Sequence, residues 1–325
     1  MTGLLRRHPA LLAGVLFAAF LLLAPLFAQR GMLNDLWNMA FFVVLATAWN
    51  LLGGFAGQVS LGYSAFVGIG AYTTVLLANA GWSPWLTLPI GAALAAAFSV
   101  VVGLPTFRLR GPYFTIATIG VGEAVRVIAS GLEFTGGSSG LRMPAGTFDF
   151  NANYYAMVVL ALLTLALVAW LQRHAFGLGL DAIRQDIDAA EALGVPSTRA
   201  KLQAHAISSA LVAIAGGLFA VNFQFISPGS VFDFRLSLTI VLMPIVGGMG
   251  TMTGPVVGAL LFSYLQIKLL ASPVLRDSYL FIYGGLLIVV MLFEPKGIVG
   301  LWERLIALRP RRQAPPPVGE VRRAS

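Results

Sequence analysis

The chain has 325 residues, of which 58% are hydrophobic and 10% are charged, and its mean hydropathy is +0.84. Because soluble domains carry about 25% charged residues, this composition excludes an ordinary soluble protein and predicts an integral membrane protein. The chain contains no cysteine, which excludes disulfides, thiol catalysis and thiolate metal sites, and its three histidines show no metal-ligand spacing.

The apolar stretches approach the ~20 residues that a helix needs to cross a bilayer. Alternating short strands are absent from the sequence, so helices must satisfy the backbone in lipid. We therefore expect an all-α polytopic fold with about ten transmembrane or re-entrant helices. The predicted segments lie near 10–28, 36–52, 59–80, 85–104, 113–130, 153–171, 204–223, 237–250, 254–272 and 279–293. For 59–80 and 237–250, which are glycine-rich or short, both a crossing and a re-entrant hairpin remain open.

The distribution of basic residues tests this threading. Ten crossings put both termini on one side, and most of the 21 Lys and Arg residues then fall in segments on that same side. The positive-inside rule therefore predicts cytoplasmic termini. The net charge of +8 follows from this arrangement and does not indicate nucleic-acid binding. Residues 1–309 form the predicted membrane domain, and the basic, Pro-rich tail 310–325 is expected to be disordered and to contact anionic lipid.

Two glycine-rich segments, 53–58 and 247–251, occupy similar places before small-residue helices. One interpretation is close packing between helix backbones, which small residues permit. The other is that broken, glycine-rich helices line a translocation path and expose backbone groups there. Both interpretations stay open at this point. The path candidates are Gly57, Gln58, Ser60 and Gly62.

Two charged residues, Glu123 and Arg126, fall inside the predicted span 113–130 and share a helix face. A single charge at mid-membrane costs roughly 2.5–3.5 kcal/mol on insertion scales, which favours mutual pairing. The sequence therefore predicts an intramembrane ion pair. A direct role in the transport path and a proton site at Glu123 are the alternatives.

The charged stretch 172–203 interrupts the apolar sequence. Apolar residues recur at helical spacing from Leu180 to Leu193, which predicts one short amphipathic helix with Asp181 in its first turn. Gly194 fits a left-handed cap that ends it. The acids Asp186, Asp188 and Glu191 have the wrong sign for an anionic membrane surface. The pattern therefore favours docking to a soluble protein partner, with a helix lying along the bilayer as the alternative.

This stretch, AIRQDIDAAEALGV, resembles the coupling loop of the membrane subunits of ABC importers. Over most of its length the chain is similar to permease subunits of branched-chain amino acid importers. The segments that carry this resemblance are 51–72, 108–128, 135–141, 182–195, 245–259 and 293–301. The resemblance implies a bacterial inner-membrane protein that works with a second homologous permease, two ABC ATPase subunits and a periplasmic substrate-binding protein.

The same resemblance implies that the loop around 182–194 sits in a cleft of an ATPase. Arg184, Asp188 and Glu191 are then candidates for ion pairs with it, and Gly194 ends the helix. The sequence has no G-x-x-x-x-G-K-[ST] phosphate loop, so it is not expected to hydrolyse ATP itself or to hold a cofactor. ATP would be bound by the partner subunits.

Three rival functions remain open. The nearest is the same transport role for urea, a short amide or another amino acid. A second is an ion-coupled secondary transporter, with Glu123 as the proton site. A third is a structural membrane protein without a transport role.

Overall fold

The computed structural model describes residues 21–109, 111–146 and 148–271, together with 281, 282, 284, 285, 288, 292 and 297–300. Most of the predicted segments 10–28 and 279–293 lies outside these residues, and so does all of the tail 310–325. The described part is dominated by helices. The helices are α1 (Arg30–Asn50), α2 (Tyr63–Asn79), α3 (Pro84–Thr106), α4 (Pro112–Gly131), α5 (Phe150–Gln172), α6 (Ala175–Gln185), α7 (Ile187–Ala192), α8 (Ser197–Phe223), α9 (Pro228–Val231), α10 (Phe234–Gly248) and α11 (Gly254–Ala271).

Six helical stretches of the described residues are long and apolar enough to cross a membrane. They are Arg30–Phe55, Pro84–Thr106, Pro112–Gly131, Phe150–Gln172, Ser197–Phe223 and Pro228–Gly248. The first of them combines α1 with a π-helical turn, Leu51–Phe55. The predicted class, an all-α polytopic membrane protein, is confirmed.

Helix α8 forms the centre of the bundle and packs against α1, α2, α3 and α5. Its contact with α2 is a backbone contact. A Cβ atom added to Gly70 would lie 1.9 Å from the Ala213 carbonyl oxygen, and one added to Gly216 would lie 2.1 Å from that of Val67. Glycine therefore lets the two helices approach more closely than any side chain would permit. Helix α2 is consequently buried along nearly its whole length.

The loops gather at two opposite ends of the bundle. At one end, strand β1 (Leu141–Arg142) pairs antiparallel with β2 (Phe225–Ile226), and the Asn79 side chain donates to the Arg142 carbonyl over 3.1 Å. We call this the ribbon end. The π-helical turn, α6, α7 and the turn between α10 and α11 form the other end, the loop end. If each predicted segment crosses the membrane, successive loops lie on alternate sides, and these loops are grouped in the same way.

Two helices differ in their limits from the segments that the sequence predicts. Within the predicted segment 59–80, the helix begins only at Tyr63, and residues 56–62 are non-helical. The predicted segment 237–250 is the helix Phe234–Gly248, preceded by the single turn of α9. The first break contains Gly57 and Gly62, and α9 begins at Pro228; glycine and proline both interrupt regular helices.

The prediction of one continuous helix from Leu180 to Leu193 is wrong. The stretch between α5 and α8 contains two helices, α6 and α7, separated at Asp186, whose backbone is extended (φ −157°, ψ 117°). The Asp186 carboxylate accepts hydrogen bonds from the Asp188 and Ala189 amides at 2.9 and 3.0 Å. The side chain thus caps α7 and replaces the bonds that a continuous helix would make.

Candidate functional site

Residues 56–62 are a non-helical break between the π-helical turn and α2. Because most of this break is enclosed by the bundle, its backbone groups need hydrogen-bond partners other than water. The Gln58 amide donates to the Leu52 carbonyl (3.2 Å), and the indole nitrogen of Trp49 donates to the Ser60 carbonyl (2.8 Å). The preceding helix therefore satisfies part of the interrupted backbone.

Helix α4 satisfies another part through two threonines. The Thr115 hydroxyl donates to the Val59 carbonyl over 2.8 Å, and the Thr118 hydroxyl accepts from the Leu61 amide over 3.0 Å. A Cβ atom on Gly62 would lie 2.5 Å from the Thr118 carbonyl oxygen, so this glycine allows the close contact. Sequence reasoning missed both threonines. Their three-residue spacing on one face of a mostly apolar span was the available signal.

The four predicted path residues do not share one environment. Gln58, Ser60 and Gly62 are buried within the protein, whereas Gly57 is exposed at the loop end. In this conformation the first three serve the packing of the broken segment. Close packing of a broken helix is therefore what the structure shows for this segment, and a role in the translocation path stays a prediction.

A second interruption, between α9 and α10, lies beside the start of α2, just after the first. The Ser64 amide donates to the Ser237 hydroxyl (2.9 Å), which in turn donates to the Ser64 hydroxyl (2.8 Å). The Ser64 hydroxyl also donates to the Phe232 carbonyl at 3.3 Å. The two breaks are thus joined by a small, buried network of hydroxyl groups.

A cavity of about 240 Å³ lies where the two breaks and α4 come together. We call it the central pocket. It is lined by Leu61, Ser64, Ile119, Gly122, Glu123, Phe232 and Phe234. Most of these side chains are apolar, and the Glu123 carboxylate is the charged group at its wall.

Glu123 and Arg126 form an ion pair on the surface of α4. The Arg126 Nε atom lies 2.9 Å from Oε2 of Glu123, and the second guanidinium nitrogen donates to the other carboxylate oxygen. The side chains are 49% and 37% exposed, respectively. The Asp233 carboxylate, which also caps α10 by accepting from the Arg235 amide at 2.9 Å, is close enough to interact with Arg126 electrostatically.

The charged segment at the loop end is anchored to the bundle by apolar side chains. Leu180, Ile183 and Ala190 are buried, whereas Leu193 is 85% exposed and does not continue their face. The expected position of Asp181 in the first turn is also wrong, because α6 begins six residues earlier, at Ala175. The break at Asp186 rotates the two halves of the predicted apolar stripe relative to each other.

Gly194 ends this segment in the left-handed region, with φ +87°. The Val195 amide returns to the Ala190 carbonyl over 3.0 Å, as in a glycine-capped helix. The Ser197 hydroxyl donates to the Glu191 carboxylate, which ties α7 to the start of α8. Asp188 is exposed on α7.

Arg184 contacts both glycine-rich segments. A Cβ atom on Gly57 would lie 3.2 Å from its Cγ atom, and one on Gly250 would lie 1.7 Å from its Nη1 atom. Both glycines have positive φ, +70° and +78°. Each position therefore favours glycine for its backbone conformation, and Gly250 also for the space that the guanidinium occupies.

Asn50 joins the same two segments directly. Its side chain donates to the Thr251 carbonyl and accepts from the Gly250 amide, both over 2.9 Å. We call Asn50, Gly57, Arg184, Gly250 and Thr251 the glycine junction. Sequence reasoning did not select Asn50, and a polar residue at the end of an apolar span was its only signal.

The described residues contain no group of three or more His, Asp or Glu side chains that could hold a metal ion. Apolar helices broken at two places, with the breaks meeting beside a pocket, define the class: a polytopic membrane transport protein. The comparisons with known proteins agree. The family model described as the permease component of the branched-chain amino acid transport system matches residues 31–291, and the chain belongs to this family.

Three relatives illustrate the match. LivM of Escherichia coli, a high-affinity branched-chain amino acid transport system permease protein, is 30% identical over 88% of this chain and 74% of its own length. BraD of Pseudomonas aeruginosa is 24% identical, covering 83% and 94%. LivH of Escherichia coli is 23% identical, covering 85% and 96%. No solved structure matches the chain. The protein is thus a multi-pass permease of the bacterial inner membrane.

Proposed function

We propose that the chain is one of two homologous permease subunits of an ABC importer for branched-chain amino acids. The match of the family model over 31–291 carries this proposal. The names of three relatives, LivM, LivH and BraD, point to the same substrate class. LivM and LivH are two permease proteins named for the same kind of system in one organism, which supports a paired assembly.

The remaining partners follow from the energy source. The chain has no phosphate-binding loop of its own, so two ABC ATPase subunits would bind and hydrolyse ATP. A periplasmic binding protein would deliver the amino acid. This subunit would contain no cofactor.

The proposed topology has ten crossings and cytoplasmic termini, with residues 1–309 in the membrane domain and the tail 310–325 outside it. The loop end would face the cytoplasm. Its support is the positive-inside rule, because Arg173, Arg184, Arg199 and Lys201 lie in or beside the α6–α7 segment at that end.

Coupling would pass through α6 and α7. Asp188 and Glu191 lie on the exposed side of α7 and would contact the ATPase, and Gly194 would return the chain to the membrane. Arg184 would have a different role. Since it contacts Gly57 and Gly250, a displacement of α6 reaches both glycine-rich segments through one side chain.

Reconstitution tests the proposed function. Proteoliposomes that contain both permeases and both ATPases, supplied with the binding protein and ATP, are expected to accumulate radiolabelled leucine. Omission of the ATPases should abolish uptake. Leucine uptake by this chain alone, driven by a pH gradient, would instead identify a secondary transporter.

One relative is named for the import of a different substrate. LsrC of Yersinia enterocolitica, an autoinducer 2 import system permease protein, is 24% identical over 85% of this chain. The same reconstituted importer should therefore be offered autoinducer 2, urea and short amides beside leucine. Preferential uptake of one of these would keep the permease role and change the substrate.

A further inference from the structure

The ion pair on α4 occupies an unusual position for two charges. Glu123 and Arg126 lie near the middle of a helix that spans residues 112–131, and both are partly exposed. Their neighbours on the exposed side of α4 include Ile116, Val127 and Ile128. Charges at this depth are costly in lipid, and they are found where they face a protein interior or a wet cavity.

The structure supplies such a cavity. Glu123 borders the central pocket, which is otherwise walled mainly by aliphatic and aromatic side chains. Its volume of about 240 Å³ is just below the roughly 300–1,000 Å³ of sites for drug-sized ligands, which suits a molecule of amino-acid size. Asp233 places a second carboxylate near Arg126. Opposite charges and an apolar wall therefore occur at one place.

We propose that the central pocket and the Glu123–Arg126 pair form a binding site for a zwitterionic α-amino acid with an apolar side chain. The substrate ammonium group would bind the carboxylate of Glu123, with Asp233 adding negative potential. The substrate carboxylate would bind the guanidinium of Arg126. The substrate side chain would lie in the pocket, against Ile119 and Phe234. This inference rests on the proposed function and adds the residues that hold the cargo.

The pairing of the two residues suits reversible binding. In the empty site each charge satisfies the other, which limits the cost of leaving both in the membrane. A bound zwitterion exchanges part of these bonds for equivalent ones and brings no net charge. The site therefore has no need to release or take up an ion as the substrate passes.

The pocket also lies where movement would alter it. Its walls come from residues 61–64, where the first break passes into α2, and from residues 232–234, where the second break passes into α10. The first break begins at the glycine junction, and α10 runs from the second break to it; there Arg184 contacts Gly57 and Gly250. A displacement of α6 would therefore change the distance between opposite walls of the pocket and favour release.

The test uses the complete reconstituted importer and the double variant Glu123→Gln/Arg126→Gln. Gln has the shape of Glu and is a shorter, uncharged substitute for Arg, and the two amides can hydrogen-bond each other, so a purely structural pair is largely replaced. We expect leucine uptake to fall about tenfold or more, since a charge-assisted hydrogen bond contributes about that factor. Copurification with the ATPases and ATP hydrolysis stimulated by the loaded binding protein should be retained. Normal leucine uptake in this variant would overturn the proposal.

A second pair of variants tests the proposed binding site even if the Glu123→Gln/Arg126→Gln variant fails to assemble. Ile119→Ala enlarges the pocket, whereas Ile116→Ala removes the same atoms one helical turn away, outside it. We expect Ile119→Ala to raise the uptake of phenylalanine relative to valine at least threefold, and Ile116→Ala to leave this ratio unchanged. An unchanged ratio in both contradicts the site. If the wild-type importer takes up no leucine at all, it is the proposed function that fails.

Discussion

Gly70 shows how much of this bundle depends on single residues without a side chain. Its Cα faces the Ala213 carbonyl across the contact between α2 and α8, with no room for a methyl group. Gly120, on α4, has no neighbour within 4 Å of an added Cβ atom. Both are glycines within apolar helices, so the sequence does not distinguish their roles.

These two glycines give a matched stability test. We expect Gly70→Ala to destabilise the protein by about 1–3 kcal/mol or more, because the helices must separate to admit the methyl group. Gly120→Ala should be neutral or stabilising by up to about 1 kcal/mol, because alanine favours a helix. The measurement is the thermal denaturation midpoint of the purified protein in detergent. Equal midpoints for the two variants would contradict the backbone contact.

The Asp186 cap is a second feature of a single side chain. Removal of the carboxylate in Asp186→Ala should cost about 1 kcal/mol and loosen α7, whereas Asp186→Asn keeps an equivalent cap. The expected readout is faster amide hydrogen exchange over residues 187–193 in the alanine variant alone. Similar exchange in both variants would show that α7 does not depend on this cap.

At the scale of elements, α6 and α7 divide the charged segment between α5 and α8 into two parts. The exposed side of α7 is available to a partner, and α6 carries Arg184 into the glycine junction. One continuous helix would have presented all these residues as a single docking face. Under the proposed function, the break would separate attachment of an ATPase, at α7, from transmission into the membrane helices, through α6.

This division predicts different defects for two charge variants. Glu191→Lys should weaken copurification with the ATPases, since it reverses charge on α7 and loses the bond with Ser197. Arg184→Met keeps the aliphatic stem but removes the guanidinium from the junction. It should retain copurification and ATP hydrolysis while lowering leucine uptake by at least about fivefold, the lower end of typical coupling energies. Normal uptake in Arg184→Met would rule out this route.

Substitutions at Gly194 test whether the turn that leads from α7 to α8 contributes to ATPase docking. Its φ of +87° disfavours a β-branched residue, so Gly194→Val should strain the cap by roughly 1–2 kcal/mol and weaken ATPase association. Gly194→Asn is the control, because asparagine tolerates the left-handed region. Membrane insertion should be unaffected in both. Equal ATPase association in the two variants would show that docking does not depend on the left-handed cap at Gly194.

For the whole molecule, the decisive question is which end of the bundle faces the cytoplasm. The chain contains no cysteine, so a single introduced cysteine reports its position without background. Leu193 is 85% exposed at the loop end, and Phe134 is 64% exposed in the segment that leads to β1 at the ribbon end.

We expect a membrane-impermeant maleimide to label Phe134→Cys in intact spheroplasts. Leu193→Cys should react only after the membrane is permeabilised. The two variants serve as controls for each other, because both positions are exposed and both lie outside helices that cross the membrane. The reverse labelling pattern would show that the loop end faces the periplasm, where an ATPase could not contact α7.

The amino-acid sequence by itself determined the class of this protein. Long apolar stretches leave the backbone no choice but helices, and the positions of the charges mark one segment as polar. The ends of most helices follow from proline and glycine, which act locally. The left-handed conformation of Gly194 and the shared face of Glu123 and Arg126 are also local properties, which explains why the sequence anticipates them.

Tertiary structure alone decided which distant residues meet. Ser64 and Ser237 are 173 positions apart, and Asn50 and Thr251 are 201 apart, yet both pairs hydrogen-bond. Helical periodicity gives the face of each helix but not the neighbour of that face, so neither the central pocket nor the glycine junction follows from it. The break at Asp186 escaped the same analysis because the helical spacing of apolar residues in the sequence continues past it, while the side-chain bonds that create the break leave no mark on hydropathy.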